Sequence, residues 1–375
     1  VINNERLLNE FLELVQIDSE TKHERAIADA LKIKFTELGL EVTEDDTAAV
    51  TGHGAGNLIC NLKGNKEGIE PILLTCHMDT VSPGFGVKPI IKDDIVYSDG
   101  TTILGADDKA GIAAMLETIK VLKEENIEHG DIQFIITVGE EIGLVGSRHM
   151  DPKYLKAKFG YALDGGDQVG NVMVGAPTQA RIEANIYGKT AHAGVAPEKG
   201  ISAITIAAKA ISSMPLGRLD FETTANIGRI EGGGATNIVC EHVFVAAETR
   251  SLVAEKMEAQ AEIMKRAFET AAVEMGGRAD VEVIIMYAGF KFTDGDLVVE
   301  VAKRAAAKIG RPCECYHSGG GSDANIFNGH GVPTVVLSVG YEEIHTKNER
   351  MPIEELNKMA EMTLAIIDEV NQLNN

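Results

Sequence analysis

A chain of 375 residues exceeds what one hydrophobic core normally organises, so two domains are expected. Its 57 acidic residues against 35 basic ones give a formal net charge of −22, which repels nucleic acid and anionic membrane and argues against both as partners. No apolar run approaches the roughly 20 residues of a membrane span, and five sparse cysteines (Cys60, Cys76, Cys240, Cys313, Cys315) point to a reducing compartment, by default the cytoplasm, rather than a disulfide framework.

The first forty residues predict two helices. "NNERLLNEFLELVQI" sets Leu7, Leu8, Phe11, Leu12 and Val15 on one stripe, and "KHERAIADALKIKFTELGL" repeats the pattern before Gly39 stops it. No basic segment leads into an apolar one here, so a signal peptide is not expected. Short apolar strands follow at "GLEVTED", "NLICNL" and "PILLTC", then a helix at "AGIAAMLETIKVLKEEN" and strands at "DIQFIITV" and "KFGYALDGG". Strands alternating with helices predict an α/β sheet covered on its faces.

Near residue 178 the pattern changes. "QARIEANIYGKT" alternates polar and apolar, a helix is predicted at about 200–213, and "HVFVAAETRSL", a helix at about 254–275 and "RADVEVIIMY" follow. This order of strands broken by two helices fits a small α+β layer with helices on one face. After residue 290 the α/β pattern resumes with "DGDLVVEVAKRAAAKIG", "PTVVLSVG" and a helix at about 354–372. The expected organisation is one discontinuous domain, 1–177 and 289–375, with 178–288 inserted into it.

Four apolar strands each run into a ligand-capable cluster. "PILLTCHMDT" carries His77 and Asp79, "IQFIITVGEE" carries Glu140 and Glu141, "KFGYALDGGD" carries Asp164, and "PTVVLSVGYEEIHT" carries His345. A fifth cluster, "ILGADDKAGIAAMLE", sets Asp107 and Asp108 at the start of a helix, where the dipole tolerates anions. Ligands of open α/β sheets bind outside the carboxyl ends of the strands. Singly, each cluster reads blandly, as a surface His–Asp pair, a helix cap or a solvated turn. Together, two imidazoles and several carboxylates at one edge make a metal site the economical reading. The Cys-x-Cys at 313–315 has no second half at zinc-finger spacing and reads as ordinary thiols. "HSGGGSDANIF" lacks the Gly-Lys-Ser/Thr of a phosphate loop, so a nucleotide site is not expected there.

In this order, "HMDT", "GADDKAG", "GEEIGLVGS", "ALDGG" and "EEIHT" resemble the two-metal exopeptidase family of peptidase T, carboxypeptidase G and aminoacylase, and most of all its peptidase T-like branch. The resemblance spans nearly the whole chain. It implies an α/β/α zinc-exopeptidase (phosphorylase/hydrolase-like) catalytic domain with an inserted α+β ferredoxin-like lid that also serves dimerisation. It further implies two divalent ions, zinc first and cobalt or manganese as alternatives. Asp107 would bridge both ions, His77 and Asp164 would complete one site, and Glu141 and His345 the other. Glu140 would be the general base, with Asp79 orienting the His77 imidazole.

The same resemblance assigns His192 in "GKTAHAG" to the oxyanion, within one copy or across a dimer, and Asn237 and Arg250 to a substrate carboxylate, although an Arg so placed often pairs with a neighbouring Glu. It has the glycine-rich loop, with Gly320 and Ser322, line the substrate pocket. His317, Ser318, Ser322 and Asn325 replace parts of the Arg-Gly-Gly-Thr-Asp-Gly-like loop of the typical peptidase T, which leaves strict tripeptide specificity open. The function implied is hydrolysis of a terminal amide of short peptides, tripeptide aminopeptidase-like. A carboxypeptidase or N-acyl amino acid deacylase is the nearest rival. A non-catalytic binding protein on the same fold and a magnesium-dependent phosphatase are the readings from other classes.

Overall fold

Ile132–Thr137, Ile72–His77, Phe159–Gly165 and Thr334–Ser338 lie side by side, in that order, as parallel strands in the computed structural model, which describes residues 1–373. Near-complete burial is what strands covered on both faces show, and the first two are buried at every residue. Antiparallel Leu58–Leu62 and Glu41–Glu44 extend the sheet on one side, and Val172–Ala176 on the other.

Side-chain alternation sorts the two faces. Leu74, Cys76, Phe134, Ile136, Leu163 and Leu337 join a large core with helices Asn4–Val15, Arg25–Glu37, Ala106–Glu124, Leu297–Lys308 and Ile353–Asn371. Ile59, Leu73 and Ile135 form a smaller cluster with Met150, Phe327 and Val332. The helix Ala106–Glu124 packs closely on the sheet at Gly111. A Cβ there would lie 2.6 Å from Cys76 Sγ and 2.8 Å from the Leu163 carbonyl oxygen. Gly111→Ala is therefore expected to cost about 1–3 kcal/mol, because a strand carbonyl cannot yield. Urea denaturation midpoints check this, and an unchanged midpoint contradicts it.

The segments form two compact units: 1–174, 292–317 and 322–373 make the first, and 175–291 with 318–321 make the second. These limits differ from 177/178 and 288/289 because Phe290 pairs with Ala176 and Lys291 with Gly175, beyond the point where the apolar periodicity changes. The second unit is a sheet in the order Gly217–Arg218, Thr223–Gly232, His242–Ser251, Thr178–Tyr187, Arg278–Tyr287, antiparallel throughout, with helices Ala203–Ser213 and Ala254–Glu274. Its four long strands follow the ferredoxin-like order, and Ile182, Ala184 and Ile186 of Thr178–Tyr187 meet Ile206, Met264 and Phe268 of the two helices.

Short strands escape the periodicity argument. Ile90–Lys92 and Ile95–Tyr97 form a hairpin turning at Asp93-Asp94, both at positive φ, and Arg350–Pro352 adds to it. That third strand anchors the segment carrying His345. Among the described residues no helix is long and apolar enough to cross a membrane, and all five cysteines are free.

Candidate metal centre

Four parallel strands deliver their carboxyl ends to one edge of the sheet, and the clustered side chains lie there. His77 is the last residue of its strand, Asp164 the second-last of its own, and Glu140–Ile142 form a 3-10 turn just after Thr137. Asp107 sits at the start of Ala106–Glu124, where it and Asp108 hold non-helical backbone angles. His345 arrives in a loop closed by backbone bonds between Glu342 and Arg350, at φ +63°.

The geometry centres on Asp107. Its Oδ1 lies 2.9 Å from His77 Nε2, and its Oδ2 lies 3.3 Å from His345 Nε2. Asp164 Oδ1 is 3.5 Å from the same His77 nitrogen, and Glu141 Oε1 is 3.0 Å from His345 Nε2. Three trios thus have donor atoms within 4.8 Å of one another: His77 with Asp107 and Asp164, Asp107 with Glu141 and His345, and His77 with Glu140 and Glu141. Two imidazoles and four carboxylates, with Asp107 facing both imidazoles, suit a pair of borderline divalent cations.

Buried groups hold these donors in place. His77 Nδ1 bonds the backbone oxygen of Asp79 at 2.8 Å, which leaves Nε2 facing the carboxylates. The Asp79 carboxylate, by contrast, is 3.5 Å from that ring. It accepts from the Glu140 amide at 3.0 Å, the Glu141 amide at 3.4 Å and Thr21 Oγ1 at 2.7 Å. Asp79 therefore touches the glutamate turn more closely than the imidazole it was expected to orient. Tyr341 donates its hydroxyl to Asp164, and Asp108 accepts from the His77 amide. Gly139 turns the chain at φ +60°, with the buried His53 ring 2.4 Å from where a Cβ would sit. Glu140 and Glu141 diverge because a 3-10 turn separates neighbours by about a third of a revolution, not because of strand alternation.

On the charges of the side chains alone the cluster is crowded with anions. Burial, reinforced by Asp164, raises the Glu140 carboxyl well above the usual range. Burial and then Asp107 push Glu141 up to about 7. Burial also raises Asp164, against the pull of His77. Asp107 goes the other way: burial opposes its charge, but His345 and His77 hold its carboxyl below the usual range. His345 rises to about 10 through its bonds to Asp107 and Glu141, and His77 is also raised because Asp164 and Asp107 outweigh its burial. Both imidazoles are thus shifted toward the charged form, because the surrounding carboxylates favour positive charge there.

The family model for peptidase family M20/M25/M40 matches residues 73–369. The chain belongs to this peptidase family. Among similar solved structures, aminopeptidase PepT of Bacillus cereus is 68% identical, with 99% of each chain covered and a TM-score of 0.91. A tripeptidase of Staphylococcus aureus is 54% identical, again with 99% of each chain covered, at a TM-score of 0.94. The Bacillus subtilis YXEP protein, described as a dinuclear metal-binding M20 peptidase, is 19% identical over 99% of this chain and 98% of its own, with a TM-score of 0.74, a likeness of fold alone.

The other residues singled out in this M20 peptidase are spread over its two units. In the second unit, His192 and Asn237 are brought together: the Ala193 amide bonds the Asn237 carbonyl, and His192 Nδ1 accepts from the Gly194 and Val195 amides. Both residues are exposed. Arg250 Nε and NH2 pair with Glu248, which also accepts from Gln179, so Arg250 takes the neighbouring-Glu arrangement. The Gly320 amide bonds Ser318 Oγ in that unit. Ser322 belongs to the first, where it caps helix Asp323–Gly329 in a capping box with Asn325. Buried Asp323 accepts from Thr137 and Ser147, each at 2.5 Å, and so ties that helix to the segments on either side of the glutamate turn. Glu349, Tyr341, Thr21 and His53 were not foreseen. Glu349 stands four residues past His345, and that spacing was its one available signal.

Proposed function

We propose that this M20 peptidase hydrolyses the terminal peptide bond of short peptides as a tripeptide aminopeptidase, using two divalent cations. His77 and Asp164 would hold one, Glu141 and His345 the other, and Asp107 both. The single observation that carries this reading is the placement of the two Asp107 oxygens against different imidazoles. Bound cations of this kind polarise a peptide carbonyl and make water acidic enough to attack near neutral pH.

The rest falls to side chains. Glu140 takes the proton of the attacking water on its carboxylate and returns it to the departing amine nitrogen. Asp79 keeps the Glu140 carboxylate aimed by holding the turn's amides. His192 would steady the developing oxyanion. Asn237 and Arg250 would hold a substrate carboxylate, Arg250 in exchange for its Glu248 bond. Zinc is the first choice of cation, with cobalt and manganese next. The cytoplasm is the proposed compartment, and pairing of two copies through the second unit belongs to the same reading.

A panel of tripeptides, C-terminally amidated tripeptides, dipeptides and N-acetyl amino acids tests it. Tripeptides with a free amino end should turn over fastest; preference for N-acetyl amino acids would move the enzyme to the deacylases, and release of the C-terminal residue to the carboxypeptidases.

A pH effect follows. His345 must lose its proton to donate a lone pair, and its pKa is raised to about 10. Cation affinity should thus climb as pH rises toward about 10, and uptake at pH 8 should release roughly one proton or more. Calorimetry in buffers of different ionisation enthalpy counts these protons, and zero release contradicts the assignment of His345.

A further inference from the structure

We propose that Glu349 is a positioning residue that aims Asp107 at both cation sites and locks it to the His345 loop. The inference rests on the reading of Asp107 as the shared ligand. Asp107 lies two residues past Gly105, where Asp107 and Asp108 hold non-helical backbone angles, so the turn leading into the helix needs an outside acceptor for its amides. Glu349 supplies that acceptor from 242 residues away. Its Oε1 accepts from the Leu104 and Gly105 amides, each at 2.7 Å, and its Oε2 from the Asp107 amide at 3.1 Å. The residue is 2% exposed, so these bonds are not shared with bulk water.

Its position adds a second constraint. Glu349 lies in the same Glu342–Arg350 loop as His345, whose Nε2 faces Asp107 Oδ2. One loop therefore grips Asp107 twice, by its backbone through Glu349 and at its carboxylate through His345. Three converging N–H groups need a carboxylate. Gln offers one oxygen, and its NH2 would face a further donor. Glu349→Gln thus releases one end of the grip and leaves the Asp107 carboxylate free to swing.

Cobalt(II) titration followed by visible absorption tests this on wild-type protein, Glu349→Gln and Asp107→Ala. Glu349→Gln is expected to bind cobalt about 10–100-fold more weakly, with altered band intensities per bound ion, as loss of an outer support does. With tripeptide, kcat should fall while KM stays near wild type. Cobalt affinity and bands equal to wild type in Glu349→Gln, with Asp107→Ala losing cobalt, overturn the proposal alone. Asp107→Ala binding as well as wild type overturns the metal reading and the proposal with it. Should Glu349→Gln not fold, Glu349→Asp keeps the charge but shortens the reach: weaker cobalt binding supports the proposal, and wild-type binding overturns it.

Discussion

Replacing Glu140 by Gln is expected to lower kcat by about 10²–10⁴-fold while metal content stays near that of wild type. The two effects separate because Glu140 and Glu141 have different neighbours. Glu141 lies against His345, whereas no hydrogen bond of the Glu140 carboxylate is seen among the described residues. Gln keeps the volume and the amides that Asp79 holds, so the turn should survive and only the proton acceptor disappear. Metal analysis beside steady-state kinetics on a tripeptide reads both quantities. Retained turnover would remove Glu140 from its role, and lost metal would make it a ligand.

Asp107→Ala should be more damaging still. The side chain faces both imidazoles, so its removal is expected to weaken both cations at once, by more than the roughly 10–100-fold that an outer-shell partner commands, and to abolish turnover. His77→Ala removes a donor shared by two of the three trios and should lose metal from the Asp164 side first. Elemental analysis after dialysis distinguishes these patterns. Equal retention of two ions by Asp107→Ala would contradict a shared ligand.

Legibility in the sequence followed physical cause. The buried parallel strands announce themselves because two covered faces demand mostly apolar side chains, and each runs at or near its end into polar residues that a core would not accept unpaired. The ferredoxin-like unit was legible from alternation in Thr178–Tyr187 and His242–Ser251. Thr223–Gly232 reads weakly because its outer half is exposed. Three-residue strands such as Ile90–Lys92 are too short to carry a period. Within the site, donors could be named one by one, but the supports could not. Glu349 holds backbone amides and Thr21 holds the Asp79 carboxylate, each across a long sequence separation, and neither contact leaves a pattern of its own. Arg250 shows the converse limit, since the same guanidinium serves an internal carboxylate or a substrate's, and here it holds Glu248.

The central claim is that five side chains from five segments bind two cations together. Crystals of zinc-loaded protein, with anomalous data collected on both sides of the zinc edge, test it most directly. The account predicts two peaks at the carboxyl edge of the parallel strands, one touching His77 and Asp164, the other Glu141 and His345, with Asp107 on both. A single peak, or peaks that leave Asp107 untouched, would contradict it.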